Sequence, residues 1–139
     1  MEYLGDIFKA ALEEKNYILN DGGREAAGFK GSAGDCAARA MAIALPKDYK
    51  ECYEELAEAH KERTGKKTAR EGIYKDTMTK VLKGHGWHWH PAPNIKGRKA
   101  KHYDMPKGRV IARMARHYSA IIDGSIHDTW DCSHKMIYG

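Results

Sequence analysis

The sequence predicts an α+β fold in which helices from the first half of the chain pack on an antiparallel sheet from the second half. Up to about residue 83, apolar residues recur at the spacing of helices. After Gly86, apolar and polar residues alternate, which is the pattern of a strand. At 139 residues the chain has the usual length of one domain and buries enough apolar surface to fold without crosslinks. We therefore expect a single domain over residues 1–139.

The first half contains four segments with helical patterns, over residues 3–14, 35–45, 48–63 and 73–83. The second of these is rich in alanine and apolar on nearly every side until Pro46 stops it, which is typical of a buried helix. The next begins at Asp48, a suitable N-cap, and ends before Gly65, a suitable C-cap. We expect these two helices to pack against each other.

The second half contains four segments typical of strands, over residues 87–90, 109–114, 117–122 and 125–131. The last two are joined by Asp123-Gly124, the dipeptide that best supports the positive φ angles of a two-residue hairpin turn. Such a turn fixes the register of the two strands, and therefore which side chains share a face of the sheet.

Composition argues against a membrane or secreted protein. No stretch approaches the roughly 18 consecutive apolar residues of a membrane span, and the first residues lack the apolar core of a signal peptide. The cysteines at positions 36, 52 and 132 have no metal-binding spacing and are too few for a disulfide framework. We expect a protein of the reducing cytoplasm that does not contact membranes.

The net charge of +5 favours acidic partners at long range, but its distribution does not favour nucleic acid. The densest basic run, over residues 96–102, lies in a loop-like segment with little aromatic interleaving. A solvated loop is the simpler interpretation of such a run. A basic nucleic-acid-binding domain that uses Lys96 to Lys101 is therefore the weakest of three candidate functions.

Cys36 is the candidate nucleophile. It falls in the first turn of the predicted buried helix, where free backbone N–H groups and the helix dipole favour a thiolate over a thiol. The alternative is that Cys36 is a small core residue, like the alanines that follow it. The predicted hairpin favours the interpretation of Cys36 as a nucleophile, because it supplies the base and the acid that a reactive thiol requires.

His117 and Asp128 are the candidate base and orienting acid. The predicted turn pairs residue 122 with residue 125, and counting back along both strands places Asp128 diagonally beside His117 on one face. A carboxylate held against one imidazole nitrogen leaves the other nitrogen to take the proton from a thiol. Trp130, directly opposite His117, is placed to shield this contact from water. Taken alone, His117 would be interpreted as an ordinary surface or core histidine.

Three stretches in one order resemble the papain-like cysteine peptidase superfamily: GDCAARA at 34–40, HYSA at 117–120 and DTWD at 128–131. The match covers about residues 28–131. It is most similar to the bacteriocin-processing branch and to small uncharacterised phage and bacterial proteins. The resemblance implies a central helix that opens with the catalytic Cys, an antiparallel sheet, and a Cys-His-Asp triad.

The resemblance also points to the position of an oxyanion-stabilising group. Papain-like enzymes usually carry a Gln several residues before the Cys, and this sequence contains no Gln. Lys30 and Ser32 precede Cys36 by six and four residues. We expect one of them to assist the backbone N–H of Cys36 in stabilising the tetrahedral intermediate. Lys30 would alternatively recognise an acidic group of the substrate.

No metal or organic cofactor is expected. The histidines at positions 85, 88, 90 and 102 lack cysteine or carboxylate partners spaced to complete a tetrahedral zinc site. His88 and His90 are better explained as the outer face of a strand whose inner face carries Trp87 and Trp89, as core or pocket wall.

The sequence therefore predicts a cytoplasmic thiol hydrolase, of a bacterial host if phage-encoded. Its substrate would be a protein or peptide, cleaved at a peptide, isopeptide or related amide bond. The main alternative is a catalytically inactive papain-like domain that binds a host or phage protein and keeps the three residues for packing. Reactivity of the Cys36 thiol separates these two candidates.

Overall fold

A computed structural model describes residues 16–31 and 34–139 as a mixed α+β structure. It has three α-helices, here α1 to α3, and four strands, β1 to β4, within those residues. Their order along the chain is β1 (Tyr17–Leu19), α1 (Cys36–Ala44), α2 (Tyr49–Thr64), α3 (Lys75–Gly84), β2 (Arg109–Met114), β3 (His117–Ile122) and β4 (Ser125–Asp128). A short 3-10 helix spans His102–Asp104. The α+β prediction is confirmed at this level. The helix predicted over residues 3–14 lies outside the described residues.

Helix α1 is the buried centre of the fold, as its composition predicts. Every residue after Cys36 is buried, and four of the eight are fully enclosed alanines or methionine with less than 2% exposure: Ala37, Ala38, Met41 and Ala44. Small side chains let the helix lie close to β3, where Ala120 packs against Ile43 and Ala44. The helix packs on β3, and Cys36 at its N-terminus lies near His117 at the start of that strand.

Helix α2 packs against α1, and α3 packs against α2. The Asp48 side chain accepts a hydrogen bond from the Glu51 N–H at 3.2 Å, which caps α2 as predicted. Gly65 ends α2 with a φ of +86°, a conformation that glycine adopts without strain. Helix α3 begins two residues later than predicted. Ile73 lies before the helix: its carbonyl accepts a hydrogen bond from Tyr118 Oη, at 3.1 Å, and its side chain is buried in the core.

The sheet is mixed: the strands from the second half of the chain are antiparallel, as predicted, and a strand from the first half is added to them in parallel. Strands β2, β3 and β4 are antiparallel, but β1 pairs in parallel with β4, so the order is β1-β4-β3-β2. Tyr17 lies opposite Ile126, and the Asn20 N–H continues the ladder to the Asp128 carbonyl at 2.8 Å. A three-residue strand is too short to show a period in the sequence, which is why it was missed.

The predicted hairpin register is confirmed. Ile122 pairs with Ser125, and Asp123 and Gly124 have φ angles of +50° and +82°. Strand β4 ends at Asp128, three residues before the predicted end.

The strand predicted over residues 87–90 is absent, although the alternation of its side chains is real. Trp87 and Trp89 are half-buried against a cavity of about 350 Å³ between α3 and β2, while His88 and His90 are exposed. The segment cannot join the sheet beside Arg113 of β2, because the backbone of residues 138 and 139 takes those hydrogen bonds. No helix among the described residues is long and apolar enough to cross a membrane.

Candidate active site

Three chain segments place the predicted residues together. Cys36 is the first residue of α1, His117 is the first residue of β3, and Asp128 is the last residue of β4. The packing of α1 on β3, and the β3–β4 hairpin, bring these ends to one region of the molecule. Cys36 is partly exposed, whereas His117 and Asp128 are buried at 7% and 3% exposure. A thiol reachable from solvent therefore stands beside a buried His-Asp pair.

His117 and Asp128 are hydrogen-bonded. His117 Nε2 lies 2.7 Å from Asp128 Oδ2. The same carboxylate accepts Ser119 Oγ at 2.7 Å on Oδ2 and the Thr129 N–H at 2.7 Å on Oδ1. Burial raises the pKa of Asp128, but these hydrogen bonds, with that of His117 foremost, outweigh burial and hold the pKa below its usual value. Asp128 is therefore held ionised, and its position fixes the proton of the ring on Nε2.

The surroundings of His117 favour its protonated form. Burial by itself lowers the pKa of His117, but interactions with Asp128, Cys132 and Cys36 outweigh burial and raise the pKa to about 11. Cys36 is thus close enough to the imidazole to influence its charge. With Nε2 engaged by Asp128, the remaining nitrogen, Nδ1, is the one available to a thiol.

The carboxylate of Asp35 binds other side chains and does not cap the helix that it precedes. Asp35 is the N-cap residue of α1, yet its side chain makes no capping hydrogen bond. It accepts instead from Arg24 Nε at 2.7 Å, from Tyr49 Oη at 2.5 Å and from Arg39. The N–H groups in the first turn of α1, where Cys36 lies, are therefore not satisfied by the usual capping side chain.

Arg39 connects the two buried acids. One of its guanidinium nitrogens contacts Asp35, and Nη2 lies 3.6 Å from Asp128 Oδ1. With Arg24 on the far side of Asp35, the charges alternate in sign from Arg24 to His117. The Asp35–Arg39 pair follows the i,i+4 spacing of helical ion pairs, a signal that the sequence carries. Nothing in the sequence pattern indicates Arg24.

Trp130 and Lys30 border the site, and Ser32 lies outside the described residues. The Trp130 ring is 41% exposed and its centroid lies 5.0 Å from that of His117, so it covers one side of the imidazole. Lys30 is exposed, and its carbonyl accepts from Arg24 and Arg70 at 3.3 Å each. Trp130 and Lys30 both line a cavity of about 570 Å³ that also borders Asp35.

Cys132 is a site residue that sequence reasoning missed. It is fully buried, with Sγ 3.6 Å from Ser119 Oγ and 3.7 Å from Asp128 Oδ2. Within residues 16–31 and 34–139, the one set of three metal-ligating side chains close together is His117, Asp128 and Cys132, whose ligand atoms lie within 4.8 Å of one another. No sequence signal places Cys132, because it follows the end of β4 in an irregular segment.

Two of the histidines outside the predicted site, and part of the basic run, make contacts within the protein. His85 contacts the Glu55 carboxylate at 2.7 Å, and His102 Nδ1 lies 2.7 Å from the Gly124 carbonyl. In the basic run, Arg98 forms a bidentate pair with Asp104. Part of this run is therefore used to hold its own loop.

No family model matches the chain, and neither the curated proteins nor the solved structures include a match.

Proposed function

We propose that this protein is a thiol hydrolase of the papain-like class that cleaves a peptide, isopeptide or related amide bond. The observation that carries the proposal is the 2.7 Å contact between His117 Nε2 and Asp128 Oδ2, with the partly exposed Cys36 near the ring at the start of α1. A nucleophile, a base and a group that orients the base are the minimum set for acyl transfer to a thiol.

The chemistry follows from the proton positions. His117 Nδ1 takes the proton of Cys36, and the raised pKa of His117 favours the resulting imidazolium beside a thiolate. The thiolate attacks the substrate carbonyl, and the tetrahedral intermediate collapses as Nδ1 returns its proton to the leaving amine. Water, deprotonated by the same nitrogen, then hydrolyses the thioester. Asp128 orients the ring throughout.

The first turn of α1 supplies the charge stabilisation in this proposal. Its N–H groups are not capped by Asp35, so that of Cys36 can donate to the oxyanion. Lys30 or Ser32 would provide the second donor in place of the missing Gln. A protein or peptide substrate would approach through the 570 Å³ cavity, whose lining includes Trp130 and Asp35, the neighbours of His117 and Cys36, but not His117 or Cys36 themselves. We place this activity in the cytoplasm and assign it no cofactor.

The experiment is the pH dependence of iodoacetamide alkylation at each cysteine, read by mass spectrometry, in the wild type and in His117→Ala. We expect Cys36 alone to react fast near pH 6, and this reactivity to be lost in the variant. Cys52 is the internal control, because burial raises its pKa to about 11 and keeps it unreactive. Equal labelling of Cys36 and Cys52, or indifference of Cys36 to His117, would refute the proposal.

One observation favours the alternative of a catalytically inactive domain that binds a protein partner. His117 and Asp128 are both more than nine-tenths buried, as in a structural ion pair. In that case Cys36 reacts no faster than an ordinary thiol, and a pull-down of binding proteins becomes the informative experiment.

A further inference from the structure

We infer that His117, Asp128 and Cys132 form a zinc site at Nε2 of the imidazole, and that zinc there switches the hydrolase off. The binding part of this inference stands on the cluster itself, whereas the inhibitory part rests on the proposed function. The site uses the nitrogen of His117 that Asp128 holds, Nε2, and a cysteine that the proposed reaction does not use.

The spacing of the three ligand atoms is close to that of a tetrahedral zinc site. Zinc binds sulfur at about 2.3 Å and nitrogen or oxygen at about 2.0–2.2 Å, which puts neighbouring ligand atoms roughly 3.5 Å apart. Cys132 Sγ lies 3.7 Å from Asp128 Oδ2, already at that separation. His117 Nε2 and Asp128 Oδ2 are 2.7 Å apart because they share a proton, and they must separate by under about 1 Å when the metal replaces it.

The ligand types favour zinc over magnesium and calcium. A thiolate, an imidazole and a carboxylate make a set that magnesium and calcium, which prefer oxygen, bind poorly. All three side chains are buried, so the metal would be held away from bulk water. Ser119 Oγ, 3.6 Å from Cys132 Sγ, is positioned to be the fourth ligand, or a water takes that place.

Zinc binding leaves the net charge of this cluster unchanged. One Zn²⁺ enters, and two protons leave: that of the Cys132 thiol and that on Nε2 of the His117 imidazolium. The remaining ring proton then stays on Nδ1. The ring is then neutral, so the Cys36 thiolate no longer faces an imidazolium. With Nε2 on the metal and a proton on Nδ1, the ring also has no lone pair left to accept a proton from a thiol or from water. The base of the proposed reaction is thereby removed, and a chelator restores it.

The test is a titration of the full-length, reduced protein with zinc in competition with a chromophoric chelator. We expect one zinc per chain, with affinity that rises with pH. Cys132→Ala should weaken binding by roughly 100-fold or more, since loss of even an outer partner of a ligand costs about 10–100-fold. Cys52→Ala removes an equally buried thiol outside the cluster and should bind zinc as the wild type does.

Cobalt binding to the wild type tests the site even if Cys132→Ala does not fold. Cobalt bound to the wild type should show a thiolate-to-metal charge-transfer band, and zinc should abolish it. Absence of stoichiometric zinc binding, absence of that band, or retained affinity in a folded Cys132→Ala would each overturn the site.

The inhibitory part is tested separately through Cys36. Zinc at one equivalent should slow the alkylation of Cys36 near pH 6 at least tenfold in the wild type and leave it unchanged in Cys132→Ala. If zinc binds at Cys132 but Cys36 labels at its metal-free rate, the switch is wrong while the site stands. If Cys36 is already unreactive without metal, it is the proposed hydrolase that fails.

Discussion

Asp128 is the residue with the most demanding position in the proposed site. Its two oxygens accept from a ring nitrogen, a hydroxyl and a backbone N–H, and Arg39 adds a positive charge 3.6 Å away. At 3% exposure an unpaired carboxylate would be strongly disfavoured. Its charge persists because each oxygen has partners, and that charge in turn favours the imidazolium of His117.

Asp128→Asn should lower the alkylation rate of Cys36 near pH 6 by about tenfold or more. The amide oxygen can still accept the Nε2 proton, but the neutral side chain no longer stabilises the imidazolium, so the pKa of His117 falls. The measurement is the pH profile of Cys36 labelling, which should move to higher pH.

The matched control is Asp131→Asn. Asp131 is exposed and bonds the Ser133 N–H at 3.0 Å, three residues from Asp128. It should leave the profile unchanged. A profile that does not respond to either substitution would show that Asp128 has no part in activating the thiol.

His117 should also make the stability of the fold depend on pH. Its pKa is raised to about 11 in the folded protein, against about 6.5 in the unfolded chain. The stabilisation is therefore complete below about pH 6.5 and is lost as the pH rises toward 11. Between these values the free energy of unfolding should fall more steeply in the wild type than in His117→Ala, by up to about 1.4 kcal/mol per pH unit. Urea denaturation at several pH values measures both slopes, and equal slopes would contradict the raised pKa.

At the scale of elements, α1 is fixed by charges at its N-terminal end as well as by apolar packing along its length. Asp35 connects it to Arg24 in the preceding loop and to Tyr49 of α2, and Arg39 connects it to the end of β4. These contacts converge on the turn that carries Cys36. The same groups that hold the helix in place therefore set where the thiol lies relative to β3 and β4.

Asp35→Asn should destabilise the protein by about 3 kcal/mol, because Arg24 loses its anion and Arg39 keeps only its longer contact with Asp128, at 3.6 Å. The measurement is the midpoint of urea denaturation. Glu58→Gln is the control: Glu58 pairs with Lys67 at 2.8 Å on an exposed surface, and its loss should leave the midpoint unchanged. Similar effects of the two substitutions would mean that the buried ion pairs do not anchor α1.

At the scale of the whole molecule, patterns with a strong local cause could be predicted from the sequence. The alanine run before Pro46 predicted the buried helix, and Asp123-Gly124 predicted the hairpin register that puts Asp128 beside His117. Features that depend on distant partners could not. Parallel pairing of β1 with β4 requires two segments about 110 residues apart to meet, and Cys132 reaches the site through an irregular segment.

Residues 87–90 show how a correct local pattern can support a wrong element. The tryptophans do alternate with exposed histidines, but alternation records which side faces the protein and not whether a neighbouring strand is free to pair. At the outer edge of β2, the backbone of Arg113 is already hydrogen-bonded to residues 138 and 139. Only the assembled fold decides that competition.

The close contact between α1 and β3 is what sets the distance between the thiol and its base, so widening it should uncouple them. Ala120 is fully buried in β3 against Ile43 and Ala44 of α1. Ala120→Leu should cost about 1–3 kcal/mol through overpacking and push α1 away from the sheet. In the molecules that remain folded, Cys36 labelling near pH 6 should fall, since Cys36 is the first residue of α1 and His117 is the first residue of β3.

Ala26→Leu, at an exposed position in the loop before α1, should change neither stability nor labelling. Normal labelling in a folded but destabilised Ala120→Leu would show that the packing of helix on sheet does not position the nucleophile.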